Sequence, residues 1–124
     1  MPISYSIDSA AGVIFEVWEG DVTAADLRSY WKRYLADPKV MELRKTLVDL
    51  RQGRIQFTGA ELSSLISTMV TPALKGRSWT TALLVGGAVE FGVSRQYQVM
   101  AERYSRDAIF HDADAALTWL TRQP

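Results

Sequence analysis

The chain has 124 residues, in which 14 Lys and Arg balance 14 Asp and Glu, and 48% of the residues are hydrophobic. This length and composition are typical of one soluble globular domain, and the even charge argues against nucleic acid or an anionic membrane as a partner. The lack of cysteine excludes disulfides and thiolate metal sites.

The ends and the long-range pattern of the sequence predict where the protein acts. Its first ten residues lack the basic and apolar regions of a secretory signal, and no apolar run reaches the roughly 18 residues of a membrane span. No repeat or linker divides the chain. We therefore expect one domain over residues 1–124, in a cytoplasmic protein that is not an integral membrane protein.

Two strands and a helix are predicted first. ISYSID, residues 3–8, alternates apolar with polar side chains, which indicates an edge strand with one solvated face. VIFEVW, residues 13–18, predicts a second strand, which EGDVT ends. A helix then follows, with Thr23 or Asp21 as its cap and the Asp-Pro pair at 37–38 as its stop. Its apolar face consists of Leu27, Tyr30, Trp31, Tyr34 and Leu35.

The middle of the chain predicts a strand, a helix and another strand. KTLVDL, residues 45–50, is the third strand. The next helix begins at Thr58 and is interrupted at Pro72 and Gly76. Its apolar face consists of Leu62, Leu65, Ile66, Met69 and Val70. TTALLV, residues 80–85, is apolar without alternation, which is typical of an interior parallel strand covered by helices on both faces.

The last third predicts a helix, a brief strand and a terminal helix. The apolar face of the third helix consists of Val89, Val93, Met100 and Tyr104. Residues 108–110 form the strand, and Asp112 caps the last helix. The resulting order, ββαβαβαβα, predicts an α/β fold in which four helices cover a five-stranded mixed, mostly parallel sheet.

This order, together with five stretches of sequence, resembles the SpoIIAA-like family. The stretches are VIFEVWEGDVTAADL, LVDLRQG, FTGAEL, ALLVGGAVEFGVSRQY and AIFHDADAALTWL. The family consists of small bacterial domains related to STAS anti-sigma-factor antagonists and grouped with SEC14-type lipid-binding folds. The resemblance runs nearly from end to end, and it implies a STAS-type fold and a regulatory role.

The resemblance also draws attention to Thr58 and Gly59. In phosphorylatable antagonists, a serine at the corresponding helix start receives a phosphate from a partner kinase. The corresponding residues here are Gln56, Phe57, Thr58 and Gly59. Only Thr58 and Gly59 match that motif, and its acidic residue is missing. Thr58 and Glu61 also have the spacing of a capping box, which accounts for both residues and contributes about 1 kcal/mol. Capping and phosphorylation both remain open for Thr58.

Asp49 and Arg51 follow the third strand, where ligands of open α/β sheets bind. We assign them, with Thr58 and Gly59, to a candidate partner surface; a solvated charge pair is the alternative. GGAVEFG, residues 86–92, lacks the lysine of a P-loop and is interpreted as a strand-to-helix turn.

Catalysis would depend on His111, the only histidine. It adjoins Asp112 and would need Ser94 or Ser105 to complete a catalytic triad. A triad is recognised by the distances between its three side chains, and a sequence does not give these distances. We therefore expect a protein that is not an enzyme and that has no cofactor and no metal site.

Tyr30, Trp31 and Tyr34 lie on one helical stripe. Such stripes usually pack in a core or form a homodimer interface, and a ligand pocket is the less common alternative. The SEC14 likeness implies an apolar cavity between the helices and the sheet, with Arg95 or Tyr97 at its mouth.

The sequence thus leads to a non-enzymatic bacterial domain of SpoIIAA-like type that docks a protein partner, with regulation by phosphate near Thr58. The alternative is a protein that binds a small hydrophobic, lipid-like ligand.

Overall fold

The structure, a computed structural model, describes residues 2–124. Its elements in chain order are β1 (Ile3–Asp8), β2 (Val13–Thr23), α1 (Ala24–Tyr34), α2 (Pro38–Leu43), β3 (Lys45–Gln56), α3 (Gly59–Leu65), a π-helical segment (Ile66–Val70), α4 (Thr71–Leu74), β4 (Trp79–Leu84), α5 (Ala88–Ala101), β5 (Ser105–Phe110) and α6 (Ala113–Thr121). The predicted order and the α/β class are confirmed. The short α2 is additional: α1 already ends at Tyr34, and Asp37 caps a new helix through the amide of Lys39, with Pro38 at the first helical position.

The five strands form one sheet in the order β1-β2-β3-β4-β5. β1 is antiparallel to β2, and the other neighbours are parallel. The larger core lies between the sheet and the helices α1 to α5, and the smaller core lies between the opposite face and α6. The sheet is therefore covered on both sides, as the uninterrupted apolar sequence of β4 predicts.

β2 and β3 are longer than predicted. The sequence predicts their ends at residues 18 and 50, but the two strands stay paired up to Thr23 and Gln56, beyond the last residue of β4. The register shifts by one residue after Val17, so the strands bulge where they leave the sheet. Parallel pairing supplies hydrogen bonds to the backbone amides and carbonyls here, and this outweighs the turn propensity of EGDVT. We call residues 19–23 and 52–56 the β-arm.

The helical stretch between β3 and β4 passes through Pro72 instead of being interrupted there. Thr58 caps it, and α4 ends it at Leu74. The π-helical segment widens the turn before the proline, since the amide of Thr71 bonds the carbonyl of Ile66, five residues back. This wider turn accommodates a residue that has no amide hydrogen.

The phase of α5 differs from the predicted one. Its fully buried residues are Ser94 and Ala101, whereas Val89 points outward and Tyr104 lies beyond the helix. Val93 and Met100 do pack against the larger core. α5 therefore buries Ser94 and Ala101 beside Val93 and Met100 and keeps Val89 on its surface.

Candidate functional site

An interior cavity of about 60 Å³ lies between the sheet and the helices α1, α3–α4 and α5. The π-helical segment contributes Val70 to its wall, and such insertions are frequent at functional sites. Aromatic side chains form much of the rest of the wall. They are Trp18, Trp31, Tyr34, Trp79 and Tyr97.

Glu16 is the one acidic side chain in the wall of this cavity among residues 2–124. It belongs to β2 and is buried, and its two carboxylate oxygens accept hydrogen bonds of 2.7 Å each from Trp18 Nε1 and from the hydroxyl of Tyr30. Burial raises the pKa of Glu16 to about 7, although both hydrogen bonds favour the charged form. Burial also keeps the pKa of Tyr30 far above its usual range, so Tyr30 remains a donor.

A row of polar side chains crosses the sheet next to Glu16. Thr46, Thr81 and Asp107 occupy matching positions on β3, β4 and β5. Thr46 Oγ1 and the hydroxyl of Tyr34 share a hydrogen bond of 2.5 Å, and Ser105 donates one of 2.6 Å to Asp107. Burial raises the pKa of Asp107 to about 6, while the Ser105 and Thr81 hydroxyls favour its charged form. Thr81 and Asp107 nevertheless lack the geometry of a hydrogen bond.

Three buried polar atoms have no hydrogen-bond partner within residues 2–124, namely Thr81 Oγ1, Ser94 Oγ and Asp107 Oδ2. Thr81 and Ser94 line the cavity from opposite sides, one on the sheet and one on α5. Buried polar groups are nearly always paired, so two unpaired hydroxyls in the wall of one cavity are unusual.

The second candidate region is the start of α3, where the predicted capping box is confirmed. The amide of Glu61 donates to Thr58 Oγ1 at 3.1 Å, and the amide of Thr58 donates to Glu61 Oε1 at 2.9 Å. Gln96 on α5 donates a hydrogen bond of 2.7 Å to the carbonyl of Gly59. The exposed start of α3 is thereby fixed against the middle of α5.

The outer side of α5 carries the large hydrophobic side chains that are exposed in the described part of the chain. Val89 is 61%, Phe91 43% and Val99 50% exposed. Val89, Gln96 and Val99 are spaced by seven and three residues and share one side of the helix. We define the α3–α5 face as Thr58, Gly59, Val89, Gln96 and Val99.

Asp49 and Arg51 form a charge pair at the point where the β-arm begins. The guanidinium binds both carboxylate oxygens at 3.0 and 2.9 Å and lowers the pKa of Asp49. Arg51 packs beside Gly86, in the turn before α5. β3 continues from Arg51 to Gln56 before Thr58, and within residues 2–124 no hydrogen bond or ion pair links the Asp49–Arg51 pair to Thr58 or Gly59.

His111 is exposed, and its ring stacks on Phe91 with 6.4 Å between ring centroids and 8° between planes. Ser105 is bonded to Asp107, and Ser94 is buried inside the cavity. The residues of the imagined triad are therefore held in separate contacts.

The residues predicted for a ligand pocket divide into two groups. Trp31, Tyr34 and Tyr97 line the cavity, and Tyr30 lies behind its wall, bonded to Glu16. Arg95 is exposed and donates a 2.7 Å hydrogen bond to Gln98. The volume equals that of about two water molecules, far less than an acyl chain needs.

Sequence reasoning missed Glu16, Thr81 and Ser94. A signal for Glu16 was present, because a lone acidic residue inside the apolar run VIFEVW must face one of two covered sides of the sheet. Thr81 and Ser94 carried no comparable signal.

Two general features of the described residues bear on the class of protein. Residues 2–124 contain no helix with the length and apolarity needed to cross a bilayer. The same residues hold no group of three or more acidic, histidine or cysteine side chains arranged as metal ligands.

No family model matches the chain, and no curated protein matches it significantly. Among solved structures, it is similar to an uncharacterized protein of the DUF3478 family with a SpoIIAA-like fold, from Shewanella loihica PV-4. The TM-score is 0.58 at 16% sequence identity, over 95% of this chain and 93% of that chain. The chain therefore has a SpoIIAA-like fold, as its sequence resemblance implies; at this identity the likeness shows the fold alone.

Proposed function

We propose that the protein is a non-enzymatic regulatory domain of the bacterial cytoplasm that docks a protein partner through the α3–α5 face. The observation that carries this proposal is the pair of exposed valines, Val89 and Val99, on one side of α5, where Gln96 between them contacts the exposed helix start after Thr58. An apolar centre with a polar rim is the usual anatomy of a protein interface.

The polar groups around the apolar residues support a specific contact. Gln96 on α5 donates a hydrogen bond to the carbonyl of Gly59, so α5 and the start of α3 are joined in one surface. A contact that exists before binding does not have to be ordered on association, and this favours affinity. A partner with a complementary apolar ridge would cover Val89 and Val99 together.

Phosphorylation of Thr58 would regulate this contact. A phosphate brings a charge of about −2 at neutral pH, and here it would lie next to the Glu61 carboxylate that closes the capping box. Repulsion between these charges would open the box, and the new charge would lie within the α3–α5 face. We propose that docking weakens when Thr58 is phosphorylated, in line with the family resemblance.

The test uses the full chain as an affinity probe in an extract of its source cells, followed by binding measurements with the purified partner. Val99→Asp should weaken binding by about tenfold or more, because it places a charge in the apolar centre. The matched control is Thr118→Asp, which adds the same charge at an exposed position of α6 on the opposite side of the sheet. Unchanged binding with Val99→Asp, or an equal loss with Thr118→Asp, would refute the docking face.

The regulatory step is tested with the same partner. Thr58→Glu should reduce binding, whereas Thr58→Ser, which keeps the hydroxyl cap, should not. Equal affinities of Thr58→Glu and Thr58→Ser for the partner would refute control by phosphate without refuting the docking face.

A further inference from the structure

Two unpaired hydroxyls face the interior cavity. Thr81 and Ser94 are 3% and 1% exposed, line the cavity, and have no hydrogen-bond partner in the part of the chain that the structure describes. A buried hydroxyl without a partner destabilises a fold, so its retention on two facing elements needs a reason. A ligand that makes hydrogen bonds to both β4 and α5 provides one.

The charge in the cavity wall favours a cationic ligand. Glu16 contributes a buried carboxyl group, and within residues 2–124 no Lys, Arg or His lines the wall. Its existing partners, Trp18 and Tyr30, are neutral donors. A buried carboxylate without a counter-charge is unfavourable, and a hydrogen-bonded cation beside it offsets part of that cost.

The hydrogen-bonding capacity of the wall also favours a cationic ligand. Each Glu16 oxygen has a further lone pair, and the oxygens of Thr81 and Ser94 can accept. An ammonium group has three donors and no acceptor, so it complements a wall that offers acceptors. The wall also contains aromatic side chains, such as Trp31 and Trp79, and aromatic ring faces attract cations.

The volume limits the size of the ligand. About 60 Å³ equals the space of about two water molecules in the liquid, which admits a molecule of about two or three non-hydrogen atoms. Leu27, Val48 and Leu83 supply an apolar part of the wall for a short alkyl group.

We propose that the cavity binds a small primary alkylammonium ion, whose ammonium group is shared by Glu16, Thr81 and Ser94 and whose alkyl group packs on the apolar wall. This site is separate from the α3–α5 face, and neither proposal depends on the other.

The experiment titrates the full chain with ethylammonium chloride and follows binding by calorimetry and by amide NMR signals of residues 81 and 94. Ethanol is the neutral ligand of the same size, and sodium chloride controls for ionic strength. Ethylammonium should bind at least tenfold more tightly than ethanol. Glu16→Gln removes the charge and should weaken ethylammonium binding by roughly ten- to a hundredfold, as expected for a charge-assisted hydrogen bond.

Two further variants keep the test valid if Glu16→Gln does not fold. Thr81→Val and Ser94→Ala each remove a hydroxyl that has no hydrogen-bond partner, so each variant should fold and should weaken ethylammonium binding several-fold. The matched control is Thr80→Val, because Thr80 is buried on β4 but lies outside the cavity wall. Equal binding of ethylammonium and ethanol, unchanged binding in both variants, or no response beyond the salt control would each overturn the proposal.

Discussion

The hydroxyl of Tyr30 on α1 donates a hydrogen bond of 2.7 Å to Oε1 of Glu16 on β2, and both residues are buried. This bond joins the first crossover helix to the sheet through a carboxyl group rather than through apolar contact alone. Trp18 holds the other oxygen, so Glu16 is fixed from two sides. The position of Glu16 in the cavity wall is therefore fixed by its two hydrogen bonds.

Replacing Tyr30 with Phe should lower the unfolding free energy by about 1–3 kcal/mol, because Oε1 of Glu16 then stays buried without its donor. Urea denaturation measures the difference. Tyr97→Phe is the matched control: Tyr97 lines the same cavity, but its hydroxyl forms no hydrogen bond to another described side chain, and the change should stay within about 0.5 kcal/mol. Equal losses in the two variants would contradict the role of the Tyr30–Glu16 bond.

Glu16 should make stability fall as the pH rises. Burial raises its pKa from 4.5 to about 7, so the folded state binds the proton more tightly than the unfolded chain. The stabilisation is fully present below about 4.5 and is lost as the pH passes through about 7, a change of about 3 kcal/mol. Asp107, whose pKa is raised to about 6, should likewise make the unfolding free energy fall as the pH rises, in a lower pH range.

Denaturant titrations across this pH range test the assignment. Glu16→Gln cannot titrate at this position, so its unfolding free energy should depend less on pH than that of the wild-type protein. A variant whose profile is as steep as the wild-type profile would show that another group causes the dependence.

Thr58→Ala should cost about 1 kcal/mol of unfolding free energy, because the amide of Glu61 loses the hydroxyl that it bonds. Thr58→Ser keeps an acceptor at the same place and should remain close to the wild type. The midpoint of urea unfolding distinguishes the two variants, and equal stability of Thr58→Ala and the wild type would argue against the cap.

Two glycines should respond to alanine in opposite directions. A Cβ on Gly53 would lie 2.9 Å from the Cβ of Trp18, so Gly53→Ala forces the β-arm apart and should cost about 1–3 kcal/mol. Gly92 on α5 has open space around the same position, and Gly92→Ala should stabilise the helix by up to about 1 kcal/mol. Thermal unfolding of both variants measures the contrast. A stabilising Gly53→Ala would contradict the close approach.

The sequence predicts the elements whose signals are local. β1 alternates because one of its faces is solvated, and the Thr58–Glu61 box depends on four consecutive residues. The β-arm was missed because its pairing joins residues about 33 positions apart, and local turn propensity cannot register such a partner.

The cavity was only partly predictable for the same reason. The aromatic stripe indicated Trp31 and Tyr34, but the polar wall combines side chains of β2, β4 and α5 that meet only in the folded chain. The wrong phase of α5 hid Ser94, because Val89 was the more hydrophobic candidate for the buried face. A helix on a sheet buries the side chains that fit, and a small serine fits where a bulky residue does not.

Docking through the α3–α5 face is tested by an NMR footprint of the isotope-labelled chain with its captured partner. We expect amide signals to change at Thr58, Gly59, Val89 and Val99, while those of α6 stay in place. Changes confined to α6 or to the β1 edge of the sheet would contradict it.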